Sequence, residues 1–484
     1  MILRPPPRRP DPADLLERHG RAYHLPLHRI VPVTCSSTPD PQRLFPSLYQ
    51  LLPLDAIRPV LECTGTLSQR QRRLPAHEVV WLVIAQSWFP HRSLPLVWRH
   101  LHPSPDQPDP VDSAFTQARQ RLGARPLRLL FHRTCRPLSV PGTLGAFHRH
   151  WLLVALDASV FETPDTRSNR RVLGSAANQN GDGAFPQLRL SAICEVGTHA
   201  ITDVQIGSYN DSEQKLSLRL LRRLPAGRLV LMDRGLSYFE VIAAVRRRKS
   251  QVLARVKAKQ RDRALPVEEV LPDGSYLSTI YPSSNAKRAK KKGLRVRVVR
   301  YTHDDVDRDG RGEVSRLLTT VLSPQLLSAQ DMVRLYRWRW EEETVFAEIK
   351  GMLGYQQPLL RSKTPTLVLQ EMYGLLLGHY LVRQVMAEAA QSQGKVVEAV
   401  RLSYSRSLEV LEDRLKDKAG TEWHGSLVRE VSWQKLRAKR PCRHPRVKKA
   451  TRSRWPNKPP GSKPPRQPTK HLSEITRILQ TDES

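Results

Sequence analysis

The sequence predicts an α/β protein built on a mixed β-sheet with helices packed on it. Between residues 151 and 257, stretches of strand and helix character follow in the order β, β, β, α, β, α, β. Two of the strand candidates, residues 151–157 and 228–233, are unbroken apolar runs that each close with an aspartate. Such runs are typical of strands buried on both faces. With 484 residues, the chain is long enough for several packed domains.

The chain begins with a basic, proline-rich segment and continues into a helical region. Residues 1–25 are rich in Pro and Arg, so we expect them to be disordered. Residues 26–140 carry helical stretches that break at prolines and glycines, which predicts an α-helical N-terminal, DNA-binding domain. Its stretch 112–123 is expected to expose Arg119 and Arg121, as a DNA-contacting helix does. An ordinary charged helix in a bundle explains the same pattern.

The central region carries the remaining strands and helices of the predicted core. Strand candidates occupy residues 187–193, 198–206 and 251–257, and amphipathic helices are predicted at residues 212–224 and 237–247. From residue 258 to residue 322 the helical pattern is absent, and three β-rich stretches are separated by turns. We therefore expect a core of residues 150–257 and 323–392 that is interrupted by a β-rich insertion, residues 258–322.

The C-terminal part is predicted to be helical at first and then disordered. Residues 365–386 have strong helical character, and an amphipathic helix at residues 396–415 defines a C-terminal helical region, residues 393–430. Residues 431–470 contain no acidic residue but many Lys, Arg and Pro. This composition predicts a basic disordered tail, residues 431–484, that binds phosphate backbones without sequence preference.

Charge indicates a polyanionic partner, and nucleic acid is the first candidate. Lys and Arg total 79 against 46 Asp and Glu, which gives a formal net charge of +33. The sequence has no apolar run of about eighteen residues and no signal-peptide pattern, so we expect no membrane association and a cytoplasmic, nucleoid-associated protein. The 5 cysteines are scattered without a Cys-x-x-Cys pair, which predicts neither a disulfide partner nor a zinc site.

One predicted helix, residues 328–354, carries four polar residues on a single face. Tyr336, Arg339, Glu343 and Lys350 lie at offsets of 3, 7 and 14 residues. At about 100° per residue, these offsets place all four within an arc of roughly 60°. A carboxylate between such neighbours can hold a divalent metal while the neighbours bind phosphate oxygens. A solvated charged face with i,i+4 ion pairs explains the same spacing.

Three carboxylates are candidates for a metal site. Asp157 and Asp233 each close a predicted strand, where side chains project into a crevice at the edge of an open sheet, and Glu343 comes from a later helix. Three carboxylates suit two Mg²⁺ ions, with Mn²⁺ as a substitute, because ligands that are all oxygen do not favour zinc. Taken singly, each aspartate is also explained as a helix cap or turn residue.

Together these segments resemble the transposases of the insertion-sequence-four family, which carry an Asp/Asp/Glu triad. The resemblance lies in residues 156–161, in residues 231–235 and in the complete pattern Tyr-x2-Arg-x3-Glu-x6-Lys at residues 336–350. It extends over roughly residues 29–390 through further matches in the N-terminal part and at residues 361–365. One departure is Ala-Ser after the first Asp, where many relatives have Gly-Thr.

The resemblance implies a fold, a site and an activity. The fold would be a ribonuclease-H-like mixed sheet with helices on both faces and a β-rich insertion before the glutamate. Metal binding and catalysis would fall to Asp157, Asp233 and Glu343, and DNA-phosphate binding to Tyr336, Arg339 and Lys350. The protein would be a transposase of a bacterial-type cell that binds terminal inverted repeats, cleaves double-stranded DNA at the element ends and joins them to target DNA as a homodimer.

Two other functions remain open from the sequence. A ribonuclease-H-like nuclease would need the same carboxylates but would not join strands. A non-catalytic DNA-binding protein would account for the net charge of +33, with carboxylates that are only structural. The apolar strands closed by Asp and the complete helical pattern favour an enzyme.

Overall fold

The computed structural model describes most of the chain outside its two ends. The described residues are 46–70, 72–102, 109–178, 181–256, 265–290, 293–303, 314–354, 359–392, 399–417, 420–436, 442–443, 467–468 and 475–480. They form two compact units, the first from residues up to Leu224 together with Trp340–Lys435, the second from Pro225–Arg339 together with residues from Leu436 onward. The expected disordered start, residues 1–25, lies outside the described residues.

The first unit begins with helices, as the sequence predicts. These are α1 (Pro46–Leu51), α2 (Leu54–Thr64), α3 (Ala76–Gln86), α4 (Leu94–Leu101), α5 (Asp112–Leu122) and α6 (Arg125–Thr134). Gly65 ends α2 with a φ of 67°, in the left-handed region that favours glycine, and its N–H donates to the carbonyls of Glu62 and Leu61. The break predicted at this glycine is therefore a helix C-cap.

The five strands of the first unit form an antiparallel arrangement around one long strand. They are β1 (Phe147–His148), β2 (Trp151–Glu162), β3 (Ser175–Asn178), β4 (Gly181–Glu195) and β5 (Ile201–Ser208). β4 pairs with β2, β3 and β5, and β1 pairs with β2. Helices α7 (Arg167–Leu173) and α8 (Glu213–Leu221) complete this part and pack on β4.

The chain returns to the first unit at Trp340 and contributes four further helices to it. They are α12 (Trp340–Gly351), α13 (Pro365–Ser392), α14 (Tyr404–Arg414) and α15 (Trp423–Ser432), with a 3-10 turn at Ala399–Arg401. Apolar residues are buried around the whole circumference of α13, which packs against α3, α6, α14 and α15. A helix that is apolar on all sides is a core helix, so α13 is the centre of the helical part.

Arg119 on α5 is buried, contrary to the sequence interpretation. Its side chain is 8% exposed, and Nε donates to Oε1 of Gln370 at 2.7 Å while Nη2 donates to Oγ of Ser362 at 3.0 Å. Gln370 in turn donates to the backbone carbonyls of Arg119 and Gly123. Arg119 therefore ties α5 to α13, and only Arg121 of the expected pair is exposed.

The second unit contributes a mixed set of strands, of which two neighbours are parallel. Its strands are β6 (Arg228–Met232), β7 (Gln251–Arg255), β8 (Glu269–Val270), β9 (Tyr276–Ile280), β10 (Leu294–His303), β11 (Ser315–Thr319) and β14 (Thr476–Ile478). The order is β6-β7-β11-β10-β9-β8, with β14 added to β10. Strands β6 and β7 are parallel, and the other pairs are antiparallel. Helices α9 (Phe239–Arg247), α10 (Ser284–Arg288) and α11 (Ala329–Tyr336) belong to this unit.

The β-rich insertion extends the sheet instead of standing apart from it. Leu318 of β11 is paired with Ala254 of β7. The insertion strands therefore extend the sheet on the β7 side. The unpaired backbone groups at a strand edge favour this addition. The sequence showed the strands of the insertion but not their attachment to β7.

Part of the expected disordered tail is ordered. In β14, Arg477 is paired with Thr302 of β10, and the flanking Ile475 and Leu479 are buried. Two short strands, β12 (Cys442–Arg443) and β13 (Gln467–Pro468), pair with each other. The rest of the expected tail beyond Leu436 lies outside the described residues. Ile475 and Leu479 can be ordered here because they bury apolar surface beside the sheet.

Within the described part of the chain, we find no helix with the length and apolar character needed to cross a bilayer.

Candidate active site

Asp157 lies in the middle of a strand and not at its end. Strand β2 continues to Glu162, with Asp157 opposite Ala192 in the ladder to β4. The six residues before Asp157 are buried, and Asp157 is the first that solvent reaches. The aspartate therefore marks the end of the continuous buried run of β2, and Phe161 is buried again further along the strand. The strand itself continues because backbone pairing does not require apolar side chains.

Asp233 follows β6 directly, as predicted, and its carboxylate organises the turn that comes next. The backbone N–H of Leu236 donates to Oδ1 of Asp233 at 3.0 Å. A Cβ at Gly235 would lie 3.0 and 3.1 Å from the two carboxylate oxygens of Asp233. Any larger residue here would displace this carboxylate by a few tenths of an ångström, and the φ angle of Gly235 is not the constraint.

Replacing Gly235 by Ala is expected to lower metal-dependent DNA cleavage severalfold, because the Asp233 carboxylate must move by a few tenths of an ångström, less than the displacement of roughly 1 Å that costs about a hundredfold. The added methyl forces the Asp233 carboxylate to turn, while the backbone can accept alanine. The measurement is the rate of nicking of an element-end duplex. Gly425→Ala is the matched control, because a Cβ there meets nothing within 4 Å. Equal rates for the two variants would show that the position of the Asp233 carboxylate does not depend on glycine at residue 235.

The single predicted helix at residues 328–354 is two helices. Helix α11 ends at Tyr336, residues Arg337–Arg339 form a 3-10 turn, and α12 begins at Trp340. The N-terminal cap is as predicted, because Oγ of Ser328 accepts from the N–H of Asp331. The argument from a continuous 100° period is therefore valid for Glu343 and Lys350 on α12, but not across the 3-10 turn to Tyr336.

Tyr336 and Arg339 lie in the second unit with Asp233, and the 3-10 turn contacts β6. Both side chains are buried, at 8% and 7% exposure, which the sequence did not predict for residues expected to bind DNA phosphates. Burial raises the pKa of Tyr336 to about 12; the charges of Arg339 and Arg255 oppose this shift, and Asp233 adds to it. The phenol is therefore a hydrogen-bond donor at neutral pH, within electrostatic range of Asp233.

Lys350 lies in the first unit, over the strand that carries Asp157. Its Nζ is 5.5 Å from the ring centroid of Phe161 on β2, and α12 packs on this strand. Burial lowers the pKa of Lys350, and the Glu162 carboxylate works in the opposite direction. Since alternate residues of a strand point to the same face, Asp157 and Phe161 share the face that α12 covers.

Two contacts fix the direction in which α12 runs along β2. Near the start of the helix, Nε2 of His199 donates to Oε2 of Glu341 at 2.9 Å. Glu195 of β4 is paired with Val154 of β2, and His199 follows Glu195 in the connection from β4 to β5. His199 is therefore near the N-terminal end of β2. Near the end of the helix, Lys350 lies over Phe161. The helix therefore runs in the same direction as β2.

This direction places Glu343 near the level of Asp157. From Lys350 back to Glu343 the helix spans about 10 Å at 1.5 Å per residue. From Phe161 back to Asp157 the strand spans about 13 Å. Glu343 and Lys350 are seven residues apart and share one face of α12, and Glu343 is exposed. The first unit thus brings two of the three candidate carboxylates to the same region of β2.

A buried network of ionisable side chains holds the opposite face of α12. Glu348 accepts hydrogen bonds from Nε2 of His379 at 3.0 Å and from Nε of Arg383 at 3.2 Å, and Nη2 of Arg383 also donates to it. The same Nη2 donates to Nδ1 of His199 at 2.8 Å. His199 thus contacts Arg383 through Nδ1 and Glu341 through Nε2, and it links the start of α12 to this network.

Sequence reasoning missed these network residues. Glu341 and Glu348 are also seven residues apart and form a second charged stripe, about 140–160° from Glu343. When a packed helix carries acidic stripes on opposite faces, one of the stripes faces the protein interior. The carboxylates of that stripe then need buried hydrogen-bond or ion-pair partners. The partners, His199, His379 and Arg383, are too distant along the chain for the pattern to identify.

The donor chemistry of the three candidates suits a hard divalent cation. Asp157, Asp233 and Glu343 offer carboxylate oxygens only, the ligands of Mg²⁺ and Mn²⁺. Asp157 and Glu343 belong to the first unit and Asp233 to the second. Among the described residues, no group of three or more His, Cys, Asp or Glu side chains is arranged so that it could hold a metal ion. Joint metal binding by the three residues is therefore a proposal.

Comparisons with known proteins define the class first. Residues 152–381 match the family model of the transposase DDE domain, which spans β2, β6 and α12 and so includes all six candidate site residues. The core is therefore ribonuclease-H-like, and the protein is a DDE transposase, an enzyme that depends on a divalent metal.

The N-terminal helices define the family. Residues 42–132 match the family model of the insertion element 4 transposase N-terminal region. The chain is 29% identical over 362 residues to the transposase InsG for insertion sequence element IS4 of Escherichia coli (strain K12), covering 71% of this chain and 77% of InsG. The chain belongs to the family of insertion-sequence-four DDE transposases.

Two further comparisons are more limited. The Escherichia coli (strain K12) protein InsZ is 31% identical over 188 residues, and the match spans 61% of its length and 38% of this chain. A solved piggyBac transposase synaptic complex with hairpin DNA has 10% identity and a TM-score of 0.39, with 82% of this chain and 85% of that chain covered. This likeness is too weak to support a statement about the present chain.

Proposed function

We propose that this insertion-sequence transposase binds two Mg²⁺ ions through Asp157, Asp233 and Glu343 and acts with them on the terminal inverted repeats of its own element. The main support is the first unit, in which α12 runs along β2 and brings Glu343 near the level of Asp157. The second unit adds an aspartate whose carboxylate is fixed by its own turn. Neither arrangement would be needed by a passive DNA-binding protein.

The residues around the carboxylates have roles that follow from their chemistry. Arg339 offers a planar fork for two phosphate oxygens, and Lys350 offers a point charge. Tyr336, whose pKa is about 12, donates its phenol proton and does not lose it at neutral pH. When bound, the two metal ions activate the attacking oxygen and stabilise the leaving oxygen. The three carboxylates fix the position at which this happens.

The proposed reaction has two steps, and the element strand that is cleaved in the first step attacks the target DNA in the second. In cleavage, the oxygen of water bonds to phosphorus, the bond from phosphorus to the 3′ oxygen breaks, and a 3′-hydroxyl is released. In joining, this 3′-hydroxyl attacks a phosphodiester of the target DNA, so one phosphorus–oxygen bond replaces another. Two protomers, one for each element end, would act as a homodimer on DNA. The place of action would be the nucleoid of a bacterial-type cytoplasm.

A strand-transfer assay with a pre-cut element end tests this proposal through metal removal. EDTA is expected to abolish the joined product, and Mg²⁺ or Mn²⁺ is expected to restore it, because carboxylate ligands bind both ions. The joined product is detected as a labelled end attached to a longer target duplex. Cleavage of an uncut element-end duplex without joining of the pre-cut end would favour the ribonuclease-H-like nuclease instead. Product in EDTA would contradict the metal site.

A further inference from the structure

The start of α11, the helix that ends at Tyr336, is held by a hairpin turn of the β-rich insertion. The turn connects β8 to β9 and carries Asp273. Oδ2 of Asp273 accepts a hydrogen bond from the backbone N–H of Ala329, the first residue of α11, at 2.8 Å. A carboxylate at this position bonds an N–H group that the helix itself leaves unbonded, and it interacts favourably with the helix dipole. The two residues are 56 positions apart, so the contact is a tertiary cap.

A fully buried arginine reinforces this cap from the sheet. Arg297 lies on β10, the strand on which α11 packs, and is 0% exposed. Its Nη1 donates to Oδ2 of Asp273 at 3.4 Å, and its Nη2 donates to the backbone carbonyl of Leu327, two residues before the helix. Nη2 also lies 3.4 Å from Sδ of Met332, within α11. One guanidinium therefore contacts the cap, the segment before the helix and the helix itself.

The turn that carries Asp273 is fixed by its own hydrogen bonds and covered by the C-terminal segment. Oδ1 of Asp273 accepts from the backbone N–H of Ser275 at 3.2 Å and also from Oγ of Ser275. Gly274 has a φ of 79°, and a Cβ there would lie 3.3 Å from Oε1 of Gln480 and 3.3 Å from Cγ2 of Ile478. Both oxygens of the Asp273 carboxylate are therefore engaged, in a turn that is itself packed.

The other end of α11 leads to the residues that are proposed to hold DNA phosphates. Tyr336 closes the helix, Arg339 closes the 3-10 turn that follows, and this turn contacts β6, the strand directly before Asp233. All of these residues belong to the second unit. The helix has 8 residues and is about 12 Å long at 1.5 Å per residue. Because a packed helix moves as a rigid element, a shift of its first turn also moves Tyr336.

We infer that Asp273 and Arg297 are positioning residues, which fix the start of α11 and thereby the placement of Tyr336 and Arg339 beside Asp233. The inference rests on the proposed function, because it takes Tyr336 and Arg339 as the groups that bind the DNA phosphate. It gives the β-rich insertion a part in the reaction, although no candidate site residue lies within residues 258–322.

The test is the single-turnover nicking rate of an element-end duplex by the full chain, with folded protein counted by DNA titration in EDTA. Asp273→Asn removes the charge that faces Arg297. It is expected to lower the rate about tenfold, because it shifts α11 by less than the displacement of roughly 1 Å that costs about a hundredfold. The matched control is Glu269→Gln, at an exposed glutamate of β8 in the same hairpin, which should nick at the wild-type rate.

Ala329→Pro is a second variant, and it leaves the charges of Asp273 and Arg297 in place. Proline is favoured at the first position of a helix, and Ser328 already has the extended backbone that a following proline needs, with φ −65° and ψ 160°. The change removes the N–H that donates to Asp273. It is expected to lower the rate as Asp273→Asn does, and a wild-type rate would show that this cap does not position α11.

A double-mutant cycle separates positioning from a general loss of structure. Arg339→Lys keeps a charge but loses the planar fork, so the contact that Asp273 positions is already lost. In this background Asp273→Asn should lower the rate less than about twofold. A tenfold loss in both backgrounds, or a wild-type rate for Asp273→Asn alone, would overturn the inference. Failure of the proposed function gives a different result, because Arg339→Lys and Glu343→Gln would then nick like wild type.

Discussion

Replacing Glu343 by Gln is expected to lower metal-dependent nicking of an element-end duplex at least about a thousandfold, because a metal ligand supplies several kcal/mol of transition-state stabilisation. The same result is expected for Asp157→Asn and Asp233→Asn. Each substitution keeps the shape of the side chain and removes the charge that binds the cation. DNA binding in EDTA should remain within a few-fold of wild type, since these residues do not neutralise phosphates.

The matched control is Glu409→Gln, a change at an exposed glutamate of α14 in the same unit as Glu343. This variant should nick DNA at the wild-type rate. If Glu343→Gln retains more than a tenth of the wild-type rate, Glu343 is not a metal ligand. If only one aspartate variant is inactive, the three carboxylates do not act together, and the assignment of two ions to one triad is wrong.

The second large effect concerns stability. Replacing Glu348 by Gln is expected to destabilise the fold by about 3–5 kcal/mol, because it leaves the Arg383 guanidinium buried without a charge partner. Arg383 is almost fully buried and bonds both Glu348 and His199. The measurement is the urea midpoint of unfolding of the full chain, followed by intrinsic tryptophan fluorescence.

A double variant identifies the physical cause. Glu348→Leu combined with Arg383→Met removes both charges, and an apolar pair of similar size is often neutral in place of a buried ion pair. The double variant should therefore be more stable than Glu348→Gln alone. If the two are equally unstable, loss of packing and not an uncompensated charge explains the effect.

The network also predicts how stability depends on pH. Burial alone would raise the pKa of Glu348, but the charge of Arg383 and the imidazoles of His199 and His379 hold this pKa well below its usual range. Stability from Glu348 is therefore present above its unfolded value and is lost only as pH falls through the low folded value. Burial lowers the pKa of His379 despite Glu348, so below about pH 6.5 the unfolded chain gains a proton that the fold excludes. Both effects destabilise the protein in acid.

Local patterns were sufficient for most elements. The apolar run closed by Asp233 predicted β6 and its end, and the Ser328 cap predicted the start of α11. In each case the information lies in neighbouring residues, through hydrophobic period and capping chemistry. The same local signals failed at Asp157, where β2 continues, and at Tyr336, where the helix changes to a 3-10 turn.

By itself, the sequence determined the class of protein, since the residue types and the spacing of Tyr336, Arg339, Glu343 and Lys350 lie within one short segment. Only the tertiary structure decided that Arg119 is a buried tie to α13, that Lys350 lies over β2 and that Glu348 is held by His379 and Arg383. Burial and pairing join residues that are tens to hundreds of positions apart, and no periodicity along the chain records which of them will meet.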